Sequence, residues 1–253
     1  MFYPSTSLTP PSPPTLPVAI STILDACSKF LKNHPSGQQA VAPSTTRRSY
    51  MITTTNELWA KAWAKETEGL NLETARRAGR ATKDNPNKED ANWWNINGSV
   101  WVDNYIKWRQ NNPDWKIWTT PQGARAIELE LNPVIAGVTV KMFIDRIFEV
   151  NGQLVIVDLK TSRTRPTSDL QLGFYKVGVE QMIGVPVNLG NYWMSRESGT
   201  GEMIDLSRYT LDTLEYFVDG FDKARKAGIF LPNLQSCSFC GLKEHCQFTK
   251  KDK

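Results

Sequence analysis

Asp145, Asp158 and Lys160 are the residues whose types and spacing most directly suggest chemistry. Only Asn151 and Gly152 separate the two β-rich stretches that carry them, and both residues tolerate the positive φ of a type I′ turn. The spacing therefore predicts a hairpin of fixed register in which Asp145 stands opposite Asp158. These two form a close, non-hydrogen-bonded pair, and Lys160 lies on the same face two residues further along.

Two carboxylates about 5 Å apart repel each other by about 3 kcal/mol at an effective dielectric constant of about 20, so a divalent cation is expected between them. The alternative is a solvated ion pair in which Lys160 neutralises Asp158. The apolar run 154–157 favours the metal, because it predicts a strand covered on both faces that continues directly into Asp158. Oxygen ligands suit Mg²⁺ or Mn²⁺, and a nearby lysine suits a reacting phosphate.

Four cysteines form a second candidate site. Cys237, Cys240 and Cys246 lie in one short run near the end of the chain, and Cys27 lies near its start. Without an export signal, this clustering favours a metal or cluster site over disulfides. Four thiolates hold an iron–sulfur cluster or a structural zinc ion. Either would join the two ends of the chain and contribute to folding.

Apolar patterning predicts the elements that position these residues. Helices are expected around 20–32, 58–63, 98–109, 170–177 and 211–224, and strands over 126–131, 138–150, 153–161 and 187–194. Gln171 and Tyr175 lie one helical turn apart. Glu128 and Glu130 share one face of the first strand. This order of elements predicts one α/β domain with a mixed sheet.

Composition bounds the class of protein. The 253 residues, 40% of them hydrophobic, are enough for a sizeable core, whereas residues 1–17 contain six prolines and predict a flexible tail. The net charge of +4 permits contact with polyanions without requiring it. No stretch is apolar enough to span a membrane and the start lacks a signal-peptide pattern, so a cytoplasmic protein is expected.

Tryptophan is abundant, with nine in the chain. Four of them fall close together, namely Trp93, Trp94, Trp101 and Trp108. Their spacing favours aromatic packing in a helical core over a platform for stacking bases.

Three segments carry a resemblance to a known family. Residues 144–146, 157–161 and 169–175 resemble the second, third and following motifs of the PD-(D/E)XK nuclease superfamily, in particular its RecB-like branch. The chain has one cysteine, Cys27, before these segments and three after them, Cys237, Cys240 and Cys246. In this layout it also resembles the CRISPR-associated Cas-four exonucleases and the AddB nuclease domain. The resemblance extends from about residue 20 to 248.

The resemblance implies a restriction-endonuclease-like α/β core, with a central mixed sheet flanked by helices. A helical N-terminal part and a C-terminal segment would be joined by an iron–sulfur cluster. In these terms, 1–17 is a tail and 18–253 a single RecB-like domain. Its nuclease core is about 98–228, and its cluster-binding segments are about 20–32 and 234–248.

The resemblance also implies roles for individual residues. Asp145 and Asp158 would bind Mg or Mn, with the Leu159 carbonyl assisting, and Lys160 would orient or activate the attacking water. The following helix would brace the site through Gln171 and Tyr175, and an additional acid would come from Glu128 or Glu130. A 4Fe–4S cluster would be bound by Cys27, Cys237, Cys240 and Cys246, with zinc as the alternative.

One position departs from the family pattern. RecB-like relatives carry a Gly-x-x-His on an earlier helix, and its best counterpart here is Gly98–Trp101, which has tryptophan where the histidine is expected. The chain has only His34 and His245, and neither lies in that context. The third protein ligand to the metal is therefore open.

The predicted function is a metal-dependent DNA exonuclease acting on single strands or duplex ends, in recombination, repair or CRISPR-type processing. The first alternative is a catalytically impaired DNA-binding protein of the same fold, suggested by Trp101. The second is a zinc-stabilised interaction protein whose aspartates are structural. DNA is the expected partner, and no membrane association is expected.

Overall fold

The structure is a computed structural model that describes residues 56–73, 82–83 and 88–229, together with the single residues 86, 233, 237, 246 and 248. The predicted tail 1–17, the predicted helix over 20–32 and most of the segment 234–248 lie outside the described residues. Cys27 and Cys240 lie outside them as well. Among the described helices, none has the length and apolar character that crossing a membrane requires.

The described elements are four helices and nine strands. The helices are α1 (56–66), α2 (Ala91–Asn111), α3 (Leu170–Ile183) and α4 (Leu211–Lys226). The strands are β1 (Lys116–Ile117), β2 (Ile127–Leu131), β3 (Val134–Ile135), β4 (Val138–Thr139), β5 (Met142–Val150), β6 (Gln153–Lys160), β7 (Leu189–Met194), β8 (Gly199–Thr200) and β9 (Ile204–Asp205).

Seven strands form one mixed sheet in the order β1-β5-β6-β7-β8, with β2 also paired to β5 and β9 also paired to β7. The pair β6–β7 is parallel and the other pairs of this sheet are antiparallel. Two parallel neighbours need a long crossover, and α3 provides it. The strands β3 and β4 form a separate small hairpin.

Helices cover the sheet on both faces. On one face, α3 and α4 pack on Ile147, Ile156 and Tyr192 through a core that includes Leu172 and Leu214. On the other face, α1 and α2 pack through tryptophan, tyrosine and aliphatic side chains against a second set of strand residues, which are Phe148, Val155, Val157, Leu159 and Trp193. This three-layer arrangement agrees with the expected mixed sheet flanked by helices and is consistent with a restriction-endonuclease-like core.

The aromatic packing predicted for the tryptophan cluster is confirmed. Trp94 and Trp101 are buried, and their rings meet edge to face with centroids 5.6 Å apart. Trp59 on α1 lies directly over Gly98 on α2, where an added Cβ would come within 2.0 Å of the indole. The glycine therefore serves the close approach of these two helices.

Some boundaries differ from the prediction for local reasons. The strand predicted over 138–150 is interrupted after Thr139 and resumes at Met142. Helix α2 begins at Ala91, earlier than predicted, because the Asp90 carboxylate accepts a hydrogen bond from the Trp93 N–H at 2.9 Å and caps the first turn.

Candidate active site

The hairpin register is confirmed up to the pair Arg146 and Val157. The regular ladder stops there, one pair before the aspartates, so their expected direct cross-strand pairing is not part of it. Instead, the Leu159 N–H donates a hydrogen bond of 2.7 Å to Asp145 Oδ2. The Asp145 side chain thus occupies the place of a backbone acceptor, and the two strand ends that carry the aspartates remain tied together.

Asp158 continues the buried strand, as the sequence predicted, and is only 3% exposed. Burial and the negative charge of Asp145 raise its pKa to about 6, while Lys160 opposes the shift. Lys160 Nζ lies 2.6 Å from Asp158 Oδ2. The structure therefore brings both carboxylates and the ammonium to one end of the β5–β6 hairpin.

Helix α3 supports this end of the hairpin. Gln171 Oε1 accepts a hydrogen bond from Lys160 Nζ at 2.9 Å, and Gln171 Nε2 donates to the Tyr175 hydroxyl at 2.8 Å. Lys160 has no acceptor atom, so the amide must present its oxygen to the lysine and its nitrogen to the tyrosine. Burial, together with Asp158 and Asp145, raises the pKa of Tyr175.

The start of α3 is fixed by a second tyrosine. Asp169 occupies the N-cap position of α3 without a side-chain capping hydrogen bond. Its carboxylate instead accepts a 2.5 Å hydrogen bond from the Tyr209 hydroxyl and another from Arg208. The Tyr209 ring lies on Gly173, where an added Cβ would come within 2.4 Å of it. This close approach sets the position from which Gln171 reaches the lysine.

The two candidate additional acids have different surroundings. Glu130 is exposed and forms an ion pair of 2.8 Å with Lys141, so its charge is directed away from the aspartates. Glu128 has φ 47°, which interrupts the predicted alternation of the strand, and its Oε1 lies 3.5 Å from Arg146 Nη1. The charge of Glu128 contributes to the raised pKa of Tyr175. Glu128 is therefore the acid whose charge reaches the site.

The donor set suits a hard divalent cation. Asp145 and Asp158 contribute carboxylate oxygens, and the pKa of Asp158 is raised first by burial and then by the negative charge of Asp145, which a bound cation would offset. Among the described residues, no three His, Cys, Asp or Glu side chains are grouped closely enough to enclose a metal ion. The residues thus fit Mg²⁺ or Mn²⁺ held by two carboxylates, with water and substrate oxygens completing its coordination.

Trp101, which stands where the RecB-like motif would place histidine, is enclosed by other groups. The Arg196 guanidinium lies 5.2 Å from the centre of its ring and also contacts Trp93 and Trp94. The indole is buried in the core on the α2 face. Within the described structure, the Trp101 ring therefore packs against the Arg196 guanidinium and is not a metal ligand.

Arg196 belongs to a charged cluster that the sequence did not reveal. Glu89 is 2% exposed and accepts hydrogen bonds from both Arg196 and Arg163, at 2.7–3.0 Å. Arg196 Nε also donates to the carbonyl of Thr161, the residue after Lys160, at 2.9 Å. These partners are 74 and 107 residues from Glu89 in the chain, so no local pattern could have linked them.

The cysteine site is described only in part. Cys237 and Cys246 are both half-buried, and the other two proposed ligands lie outside the described residues. The described residues place no group of metal-binding side chains around either of them. The predicted cluster site therefore stays a prediction.

Comparisons with known proteins identify relatives. The Gene 69 protein of Mycobacterium phage D29 is 29% identical over 198 residues, which are 70% of this chain and 72% of that protein. The Gene 69 protein of Mycobacterium phage L5 is 30% identical over 175 residues, which are 59% of this chain and 60% of that protein. Among solved structures, protein VC1899 from Vibrio cholerae is similar with 12% identity and a TM-score of 0.26, covering 91% of this chain and 50% of that one.

A family model extends over most of the chain. The model of the PD-(D/E)XK nuclease superfamily matches residues 49–247. The matched region includes both aspartates, Lys160 and the helix that braces them. With the site assembled on a mixed sheet between two helical layers, the sequence match and the geometry lead to one conclusion: the chain belongs to the PD-(D/E)XK nuclease superfamily.

Proposed function

We propose that the chain is a metal-dependent deoxyribonuclease, specifically an exonuclease that hydrolyses phosphodiester bonds of single-stranded DNA or duplex ends. The observation that carries this proposal is the cluster of Asp145, Asp158 and Lys160 at one end of the hairpin, braced by Gln171. The family match supports a nuclease and a nucleic-acid substrate. Recombination, repair or CRISPR-type processing is the proposed setting, with residues 18–253 as one nuclease domain.

Each residue has a distinct proposed role. Asp145 and Asp158 hold Mg²⁺ or Mn²⁺, the ions typical of this superfamily, and the Leu159 carbonyl assists. A divalent cation bound there supplies Lewis-acid polarisation of the scissile phosphate. Lys160 orients the attacking water and stabilises negative charge that develops on the phosphate.

The residues around Lys160 and the two aspartates complete the proposal. Gln171 holds the lysine ammonium in position, and the Tyr175 hydroxyl holds the Gln171 amide. Glu128 is the proposed additional acid, since its charge already acts on Tyr175. Glu130 is committed to Lys141 and is not assigned a role in metal binding.

The test is a cleavage assay with Mg²⁺ or Mn²⁺ on oligonucleotides labelled at the 5′ or the 3′ end. Wild type is expected to shorten linear single strands or duplex ends progressively and to leave circular single-stranded DNA intact. Asp158→Asn is expected to lower the rate by about 100-fold or more, because one carboxylate charge is removed. Asp212→Asn, at an exposed position of α4, is the matched control and should behave as wild type.

Three results would overturn parts of this proposal. Cleavage of circular DNA, which has no ends, would show that the activity is that of an endonuclease and not of an exonuclease. Equal rates for wild type and Asp158→Asn would remove the carboxylates from the mechanism. Absence of cleavage on every substrate would exclude the nuclease activity itself.

A second candidate function is a DNA-binding protein of the same fold that has lost turnover. Its support is Trp101, which is packed against Arg196 at the position where the RecB-like motif would place a histidine ligand. This alternative predicts DNA binding that weakens steeply with salt concentration, without cleavage, since phosphate contacts dominate such binding. Titration of labelled DNA at several salt concentrations, beside the cleavage assay, separates the two functions.

We also propose a 4Fe–4S cluster bound by Cys27, Cys237, Cys240 and Cys246. The support is the set of four cysteines, of which the two described ones are half-buried. Thiolates are the usual ligands of such a cluster. Zinc in a structural role is the alternative, and it would leave the protein colourless.

A further inference from the structure

A groove of about 540 Å³ adjoins the candidate active site. It lies between the start of β5 and the first turns of α3, and Phe143, Phe174 and Lys141 line it together with Gln171 and Tyr175. The last two residues also brace Lys160. The groove therefore shares Gln171 and Tyr175 with the candidate active site.

The groove presents an aromatic ring and a cation side by side. Phe143 is 44% exposed and lies two residues before Asp145 on the same strand. Lys141 Nζ lies 5.0 Å from the centre of the phenyl ring and is held by Glu130 at 2.8 Å. The exposed Phe143 ring lies in the groove beside this cation, so the groove offers a stacking surface next to a positive charge.

Polynucleotides offer the matching chemistry. Every base has a π face that stacks on an aromatic side chain, and every nucleotide brings a phosphate that attracts a lysine. A phosphate that reaches Asp158 and Lys160 is joined to its neighbouring base by a single sugar. A base of the bound strand must therefore lie near Gln171 and Tyr175, where the groove opens.

We propose that this groove binds one unstacked nucleobase of the strand being cleaved, next to the scissile phosphate. Phe143 stacks on the base. Lys141 contacts the adjacent phosphate in exchange for Glu130, because their ion pair is exposed and contributes little. This inference rests on the proposed nuclease function and deepens it. A base held in a helix is stacked on both sides and cannot enter, so the groove favours single strands and frayed ends over intact duplex.

The test combines protein variants with abasic substrates. Phe143→Ala, Phe143→Trp and the control Phe221→Ala, whose ring is 70% exposed on α4, are compared with wild type on single-stranded oligonucleotides. The same oligonucleotides carry one abasic site, placed in turn at each of the three terminal nucleotides. Loss of one stacked base lowers affinity by about 5- to 100-fold.

Phe143→Ala is expected to lower kcat/KM on the intact strand by about 5- to 100-fold. Phe143→Trp and Phe221→Ala are expected to keep the kcat/KM of wild type. On the strand with the abasic site at the position that occupies the groove, wild type should lose the same factor and Phe143→Ala almost nothing more. The proposal is overturned if Phe143→Ala matches wild type on intact strands. The proposal is also overturned if Phe143→Ala has a kcat/KM lower than wild type by the same factor on the intact strand and on every abasic strand.

A binding assay without metal keeps this inference separate from the proposed function. Fluorescence anisotropy with labelled single strands in EDTA is carried out with the same variants. If wild type cleaves nothing, the nuclease proposal fails. The groove proposal is still supported if Phe143→Ala binds the intact strand more weakly than wild type and both proteins bind the abasic strand equally. If wild type cleaves and Phe143→Ala binds and cleaves like wild type, only the groove proposal fails.

Discussion

Lys160 is constrained by two acceptors of different kinds. Asp158 Oδ2 forms an ion pair with its ammonium at 2.6 Å, and Gln171 Oε1 at 2.9 Å fixes the direction of the ammonium without adding charge. A carboxylate in place of Gln171 would bring a further negative charge to the site. The neutral amide therefore orients the ammonium and leaves its positive charge available for phosphate.

Removal of the amide tests this positioning role. Gln171→Leu is expected to lower kcat by about 10-fold or more with little change in KM, because a charge-assisted hydrogen bond to Lys160 is lost. Tyr175→Phe should cost less, about fivefold at most, since it removes only the indirect support. Steady-state kinetics on single-stranded DNA measure both.

Gln153→Leu, at an exposed position at the start of β6, is the matched control for this pair. A larger effect of Tyr175→Phe than of Gln171→Leu would contradict the order of support. An effect confined to KM would assign Gln171 to substrate binding instead.

Much of the candidate site was predictable at the scale of residues. The turn chemistry of Asn151 and Gly152 was enough to place Asp145 near Asp158, and helical spacing was enough to pair Gln171 with Tyr175. Turn chemistry does not report where a ladder ends. The insertion of the Asp145 carboxylate at the Leu159 N–H was therefore not predictable.

At the scale of elements, the β5–β6 hairpin depends on its turn. Asn151 and Gly152 have φ values of 51° and 77°, which is the backbone conformation of a type I′ turn. Nothing lies within 4 Å of a Cβ built on Gly152, so a side chain there would meet no steric contact. Only the backbone conformation opposes substitution.

Gly152→Ala is therefore expected to destabilise the protein by about 1–2 kcal/mol, the cost of holding alanine in the left-handed region. Gly220→Ala is the matched control, because that glycine lies within α4 and is also free of contacts. It should stabilise by about 0.5–1 kcal/mol through helix propensity. Urea unfolding of the three proteins gives these differences, and equal shifts for both variants would contradict the turn conformation.

A second element-scale feature is the buried carboxylate Glu89, which connects the end of β6 to the α2 layer. Its partner Arg196 holds the carbonyl of Thr161 and lies among three tryptophans of α2. Burial alone would raise the pKa of Glu89, but the hydrogen bonds from Arg196 and Arg163 lower it below 4.5 overall. The ionised form of Glu89 thus stabilises the fold.

Glu89→Gln is expected to lower the free energy of unfolding at pH 7 by roughly 3 kcal/mol, because Arg196 loses its buried partner. A lowered pKa means that this contribution is fully present above about pH 4.5 and is lost as the pH falls through the folded-state value. The difference between wild type and variant should therefore shrink below pH 4.5. Urea unfolding at pH 7, 5 and 4, with exposed Glu202→Gln as control, checks it, and a constant difference would contradict the ion cluster.

At the scale of the whole molecule, the sheet separates two environments. The α3 face carries Asp158 and Lys160, and the α2 face carries the aromatic core with Arg196. The order of elements along the chain predicted one α/β domain with a mixed sheet, whereas helices flanking that sheet were implied by the resemblance. The short strands β1, β3, β8 and β9 have only two residues each, too few for any periodic pattern.

The proposed cluster would act on the molecule as a whole, because it closes a loop of roughly 200 residues between Cys27 and Cys237. Anaerobically purified protein is expected to be brown, and Cys237→Ser to lose the visible absorbance. The free energy of unfolding should fall with it by roughly 3–5 kcal/mol, as for loss of a long-range cross-link. Ser236→Ala, next to that cysteine, is the control and should keep both colour and stability.

A colourless protein with one zinc per chain would establish the zinc alternative, and a protein without bound metal would leave the cysteines without this role. Because the cluster ligands lie outside the hairpin, loss of the cluster should lower the free energy of unfolding and leave the cleavage rate per folded molecule unchanged.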